Sequence, residues 1–412
     1  MKKISALLLL LVLVGTTTVS AQTKFVGTPV GIAQNIAPHS TSFLPAFEQQ
    51  QERQALEQMD KQVYLFGKNF EVNYNLQNTG TWTTLPDGNR LWQLEIVSSG
   101  ARSLNFIFDQ FHLPKGGFIH IYSHDHTQIL GAYTADNNNE ANVLGTELLY
   151  SDHVIIEYYE TQGKQHESLL QIGTITHGLR GFDPYVNKML KDLNDAGDCN
   201  IDVNCPLGSG WENERNSVAL IISGGNALCS GALINNTNND GTPYFLTANH
   251  CGTNPTSWVF RFRWESTTPD CGTTAPSGTG PTQFESTNGA VLRATNAGSD
   301  FMLCELNTAP NPAWDIYYAG WDRTDTPPSQ TTGIHHPSGD IKKICRDNNA
   351  ATPMVWSGAE CWQIADWDQG VTEGGSSGSP LFDQNHRIIG QLYGGPAACS
   401  VTTENAELDC YG

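Results

Sequence analysis

Three short stretches in the second half of the chain carry residue types that together can do nucleophilic chemistry. Phe245-Leu246-Thr247-Ala248-Asn249-His250-Cys251 reads as an apolar strand ending at a histidine beside a cysteine. Gly298-Ser299-Asp300-Phe301-Met302-Leu303 places an aspartate at the head of an apolar strand. Glu373-Gly374-Gly375-Ser376-Ser377-Gly378-Ser379-Pro380-Leu381 is a Gly/Ser loop running into a strand. Taken singly, each has an ordinary explanation: a structural or solvated histidine, a turn aspartate, a loop. Taken together they supply the parts of an acyl-transfer site. A serine hydroxyl is a weak nucleophile until a base within hydrogen-bond reach takes its proton, and a carboxylate must hold that base in the right tautomer. The glycines around Ser377 permit backbone angles barred to other residues and leave the Gly375 and Ser377 N–H groups free to face a developing oxyanion. Glycosidase chemistry would need a placed carboxylate pair, and no motif for one is present.

The elements that must position these residues are β-strands. The chain has 412 residues, room for one large domain or two to three ordinary ones, with 39% hydrophobic residues, 16% charged, 40 glycines and 20 prolines. That balance suits a turn-rich all-β protein and argues against disorder, helical bundles and coiled coils. The net charge of −20 makes nucleic acid and anionic membrane poor partners.

Residues 1–21 read as a secretory signal: Lys2 and Lys3, an apolar run from Ala6 to Val14 too short to span a bilayer, and small residues at Val19-Ser20-Ala21. The product is therefore expected to be soluble and exported, periplasmic or extracellular. All ten cysteines follow position 198, which favours disulfides over zinc because no paired CxxC occurs.

Residues 22–191 form a β-rich first domain and linker. Alternating runs at 62–66, 91–97, 104–108, 118–122 and 153–159 predict a β-sandwich or jelly roll, with a short helix within 45–58. His124-Asp125-His126 reads as a solvated loop rather than a metal site. Lys188 and Lys191 lie in a polar linker that offers cleavage points. Residues 192–412 show short strands at 217–222, 230–234, 244–247, 257–262, 301–306 and 387–392, a second all-β domain.

This second half resembles the trypsin-like serine peptidases and, within them, the bacterial lysyl endopeptidase family. The shared stretches are Cys199-Asn200-Ile201-Asp202-Val203, Cys229-Ser230-Gly231-Ala232-Leu233, 244–251, Ala319-Gly320-Trp321-Asp322-Arg323, Ile334-His335-His336-Pro337, 371–380 and 390–396. The resemblance implies a chymotrypsin-like pair of six-stranded β-barrels with the active site between them. It puts His250, Asp300 and Ser377 on the catalytic triad, and the oxyanion hole at Gly375 and Ser377. Val371 occupies the place where trypsin carries its pocket carboxylate, six residues before the nucleophile. The family's pocket aspartate matches Asp409, with Tyr393, Gly394 and Trp356 around the substrate side chain, and Tyr393 standing where the family has a histidine. His335-His336 corresponds to a loop, so no metal is assigned, and no cofactor.

The resemblance also implies the disulfides Cys199–Cys399, Cys205–Cys271 and Cys229–Cys251. Proximity in sequence suggests Cys345–Cys361, which leaves Cys304 and Cys410 as a further pair. Ser376, just before the nucleophile, has no charge to receive a new N-terminus, so activation is expected to proceed without that ion pair. The family continues past the position of Gly412 with a strand and a helix, so either a C-terminally truncated sequence or an unfinished second barrel is expected. The resulting expectation is a monomeric, secreted serine endopeptidase cutting polypeptides after lysine, its first half an intramolecular pro-domain. Two other readings stand beside it: an inactive protease-like binding module, and a first half retained as a surface- or carbohydrate-binding domain.

Overall fold

The computed structural model describes residues 27–59, 63–180, 196–266, 268–269, 271, 284–400 and 408–412. The leader at 1–21 and the linker lysines Lys188 and Lys191 lie outside the described residues. Among the described residues, no helix is long and apolar enough to cross a membrane.

The first half is a β-sandwich. One sheet orders the strands Thr41–Phe43, Arg90–Val97, His153–Glu160, Phe118–Ser123 and Ile129–Tyr133, with Thr81–Thr84 also paired to Arg90–Val97. The other orders Gly67–Asn75, Leu169–Gly178, Ser103–His112 and Leu144–Gly145. Period-2 alternation explains the layering: Trp92, Leu94 and Ile96 point inward and meet Phe106, Phe108, Ile172 and Ile175 of the opposing sheet. The expected short helix is Gln49–Gln58.

The run at 62–66 behaves differently from the sequence reading. Tyr64–Leu65 leaves the sandwich and pairs with Ala227 and Leu228 of the second half. Alternation identified a strand but not its partner. The partner is set by Tyr64 and Phe66, which bury against Leu220, Ile222, Leu228, Val259, Trp264 and Ile341.

The second half comprises two curled antiparallel sheets, each wrapped around its own core, in the double-β-barrel arrangement. The first runs Glu285–Asn288, Val259–Phe262, Val218–Ser223, Ala227–Ile234, Tyr244–Ala248, Phe301–Leu306 and Ala290–Asn296, around Ile221, Leu233, Phe245, Phe260 and Met302. The second runs Ile201–Asp202, Lys343–Asp347, Thr331–His335, Pro380–Asp383, Ile388–Gly394, Asp409–Tyr411, Ala359–Ile364 and Thr352–Trp356, around Ile364, Val371, Leu381, Leu392 and Tyr411. Val218, Ala232, Leu246, Ile334, Ile344, Phe382 and Ile388 close the seam between them. Asp409–Tyr411 is paired on both sides, so the residues next to position 412 are not left as an open sheet edge.

Candidate active site

Strand register brings the histidine and aspartate together. Tyr244–Ala248 and Phe301–Leu306 run antiparallel with Ala248 opposite Phe301, so the residue two past one strand meets the residue just before the other. His250 lies in the single 3-10 turn Asn249–Cys251. Its Nδ1 is 2.5 Å from Asp300 Oδ2, and its backbone N–H donates to Asp300 Oδ1 at 2.8 Å. Asn249 N–H donates to the Asp300 carbonyl at 2.7 Å, and Gln391 Nε2, from the second barrel, donates to the same oxygen at 2.9 Å. Asp300 is buried, so solvent competes little for the carboxylate. This is the geometry that fixes an imidazole with its proton on Nδ1 and its Nε2 free to act as base.

The serine loop docks against the histidine strand. Ser377 accepts at its carbonyl from Ser230 N–H at 2.8 Å, and Cys251 Sγ lies 3.8 Å from the same oxygen. Gly378, with φ +79°, explains why this loop needs glycine: a Cβ there would lie 2.2 Å from Thr247 Oγ1 and 2.6 Å from Ala248 N. Gly375 also has a positive φ, +93°, and its carbonyl accepts from Ser230 Oγ at 3.0 Å. Among the described residues, neither Gly375 N–H nor Ser377 N–H donates a hydrogen bond, which leaves both available to an oxyanion. Among them, too, the Ser377 hydroxyl makes no hydrogen bond to the imidazole; such contacts often tighten only with substrate bound.

Ser230 is a residue that sequence reasoning passed over. Fully buried, it holds Ser377 and Gly375 from one side and accepts from Thr247 Oγ1 at its carbonyl (2.8 Å). Its sequence signal was available, since it sits in the stretch 229–233. Ser376 takes the place of the usual charge: its hydroxyl pairs with His335 Nδ1 at 2.8 Å and accepts from Glu373 N–H at 3.2 Å. Burial first, and Lys343 second, push His335 down to about 3, so this is a neutral contact. His336 turns elsewhere, its Nδ1 lying 2.9 Å from the Asp340 carbonyl.

Asp409 is buried, and its Oδ2 accepts from Trp367 Nε1 (2.8 Å) and Thr372 Oγ1 (2.6 Å). Neither donor was foreseen. The exposed Gly395 lies over the carboxylate: a Cβ there would approach Asp409 Oδ1 to 2.5 Å. Two residues before it, the Tyr393 ring stands 6.4 Å from the His250 ring, so the segment 393–395 spans from the imidazole to Asp409. Gly394 lies in that span, paired with Cys410. Trp356 is not brought there. It pairs with Ala359, whereas Asp409 pairs with Ile364, five residues along the same strand, about 16 Å at the usual rise.

Bonds join Cys199 to Cys399, Cys205 to Cys271 and Cys229 to Cys251. The last anchors the turn bearing His250 to the strand bearing Ser230. The other two expected pairs do not form. Cys345 points to the Gly333 carbonyl and Cys304 lies in the first barrel's core, while Cys361 and Cys410 sit without a disulfide on neighbouring strands, Cys410 Sγ lying 3.2 Å from Met354 Sδ. Proximity in sequence misled because the hairpin 352–364 carries Cys361 away from Cys345 to the strand Asp409–Tyr411.

A double β-barrel with a histidine–aspartate pair and a glycine-flanked serine at its seam is the architecture of the trypsin-like serine peptidases. The family model of the lysyl endopeptidase C-terminal domain matches residues 193–412, and the chain belongs to the lysyl endopeptidase family. Lysyl endopeptidase of Pseudomonas aeruginosa is 33% identical over 223 residues, which are 50% of this chain and 47% of that protein. The chain thus spans about half the length of the curated relative it matches. Among solved structures, the protease Anisep from Arthrobacter nicotinovorans is 17% identical with a TM-score of 0.33, covering 48% of this chain and 89% of its own. The MamO protease domain from Magnetospirillum magneticum is 11% identical with a TM-score of 0.32, covering 49% and 93%.

Proposed function

We propose that this chain is the precursor of an exported serine endopeptidase that cleaves polypeptides after lysine. The observation that carries the reading is the doubly hydrogen-bonded His250–Asp300 pair set against the docked Ser377 loop. His250 Nε2 takes the Ser377 proton as Oγ attacks the scissile carbonyl, and Asp300 steadies the imidazolium. The Gly375 and Ser377 N–H groups hold the oxyanion. His250 then protonates the leaving amine, and a water deprotonated by the same ring releases the acyl group.

Asp409 is assigned the substrate ammonium. Its burial supports this, because a carboxylate shielded from water gains most from an opposite charge and loses most from a neutral one. Tyr393 and Gly394 flank the path to it, and Trp356 drops from the set.

Residues 22–191 are assigned as a pro-domain, cut near Lys188 or Lys191. Two observations support a cut that leaves 196–200 in place: Gly197 N–H donates to Glu373 Oε2 at 2.8 Å, and Asn200 Nδ2 donates to the same oxygen at 3.0 Å. The first half contacts the first barrel through Tyr64–Leu65 and a buried ion pair, which favours a folding role. A serine-directed fluorophosphonate tests the reading. Labelling of the wild type but not of Ser377→Ala supports it, whereas folded, processed wild type that takes no label points to an inactive binding module. N-terminal sequencing of the secreted product separates a removed pro-domain from a retained surface-binding one.

A further inference from the structure

The triplet His124-Asp125-His126 does not act as a unit. Asp125 accepts from Ser123 Oγ and from Thr127, and His126 turns against the Tyr122 ring at 5.6 Å. His124 instead stacks on His153, with ring centroids 4.1 Å apart and planes within 15°. The sheet register explains the meeting. Ile155 stands opposite both Glu95 and Tyr122, so residues 95, 153 and 124, each an even step away, share one face. That face is the outer one, since Leu94, Ile96, Ile121, Val154 and Ile156 fill the core behind it.

We propose that Glu95, His124 and His153 form a binding site for one divalent cation of the zinc class, with water completing the shell. Their ligand atoms all lie within 4.8 Å of one another. His153 Nε2 is 2.7 Å and His124 Nε2 is 3.7 Å from the same oxygen, Glu95 Oε1. Zinc bonds of about 2.0–2.1 Å set tetrahedral ligand atoms roughly 3.3 Å apart, between those two distances. Two imidazoles and a carboxylate are a donor set zinc prefers, and three protein ligands leave an open position.

The frame is built while the last ligand is adjustable. Glu95 is mostly buried and Thr41 Oγ1 hydrogen-bonds its second oxygen, an outer contact of the kind that orients a metal-binding carboxylate. His124 N–H donates to the His153 carbonyl at 2.9 Å, which fixes the backbone. The His124 side chain is 58% exposed, so it can leave the stack to complete a shell. Bound metal would tie together the strands Arg90–Val97 and His153–Glu160 and the turn after Phe118–Ser123.

The test uses the full chain carrying Ser377→Ala, stripped of metal with a chelator. Calorimetric titration with Zn²⁺ should show one equivalent bound, and Co²⁺ should give the intense visible absorption of a tetrahedral site. Zn²⁺ should also raise the unfolding temperature of the first domain. Losing an outer-shell partner typically costs ten- to a hundredfold in affinity, so Glu95→Gln and His124→Ala should each weaken binding at least about tenfold. His126→Ala, in the same turn, should leave it unchanged. His124 is exposed and Glu95→Gln keeps its shape, so neither variant depends on refolding the domain. Absence of saturable one-equivalent binding overturns the proposal, as does undiminished binding by His124→Ala.

Discussion

Arg261, in the first barrel, and Glu147, in the N-terminal sandwich, form a two-pronged ion pair closed off from solvent. Arg261 Nε donates to Glu147 Oε1 at 3.1 Å and Nη2 to Oε2 at 2.5 Å, with the two side chains 2% and 0% exposed. The guanidinium also lies over the rings of Phe284 and Trp264, at 4.3 and 4.9 Å. A charge on the outer face of the first barrel, buried where the sandwich packs against it, is therefore neutralised by the other half of the chain.

Removing one partner leaves the other charged and dry. Glu147→Ala, in the Ser377→Ala background, is expected to lower the unfolding free energy of the full chain by about 3–5 kcal/mol in denaturant titration. Pairing Glu147→Leu with Arg261→Met should recover most of that loss, because no uncompensated charge remains. A single-variant loss below about 1 kcal/mol would mean that water reaches the guanidinium.

Asp300→Asn keeps the shape of the site but offers His250 Nδ1 an amide in place of a carboxylate. The imidazole can then settle in the wrong tautomer, with its proton facing Ser377. Turnover of a lysyl amide is expected to fall by about 10⁴-fold, with circular dichroism unchanged. A loss under about tenfold would remove Asp300 from the triad.

What could be read from the sequence follows a physical line. The His250, Asp300 and Ser377 stretches were legible because each combines a reactive residue with a local backbone demand: a strand end, a strand head, a glycine turn. The strand Lys343–Asp347 was missed because its hydropathy is wrong for a buried strand. Lys343 is buried only because Asp202 lies at 2.5 Å and Asp340 at 3.5 Å, partners 141 residues away and three residues away. Ala290–Asn296 was missed for the opposite reason, since nearly its whole length is exposed and shows no alternation. Trp367 and Thr372 reach Asp409 across 42 and 37 residues, and nothing local marks a tryptophan or a threonine as a carboxylate's donor.

Those donors sharpen what Asp409 should do. Trp367 and Thr372 both bind Oδ2, while Oδ1 lies under the exposed Gly395, the side from which the proposed substrate ammonium would approach. Asp409→Asn should cut kcat/KM for lysyl peptides by about two orders of magnitude or more, as expected for an ammonium buried without its counter-charge. Leucyl peptides should be cleaved no more slowly than by the wild type. If both substrates fell equally, the residue would be supporting the barrel rather than selecting the substrate.

The His335–Ser376 contact links the loop bearing Ser377 to pH. Burial, then Lys343, holds His335 near 3, well below its ordinary value of 6.5. The unfolded chain therefore binds a proton that the folded chain refuses across that interval. The stabilising contribution is complete above about pH 6.5 and is lost as pH falls toward 3, at about 1.4 kcal/mol per pH unit. His177 (about 4) and His336 (well below its ordinary value), both lowered first by burial, have the same sign. Glu157, raised mainly by burial, has the opposite sign, so the whole-protein slope mixes contributions. His335→Gln isolates one of them, since the amide can still meet the Ser376 hydroxyl but does not titrate. Between about pH 7.5 and 4.5, denaturant titrations in the Ser377→Ala background should show the parent losing about 2–3 kcal/mol more than His335→Gln. Parallel pH curves would mean that His335 takes up its proton in the folded state, and that the loop bearing Ser377 does not rest on a neutral ring.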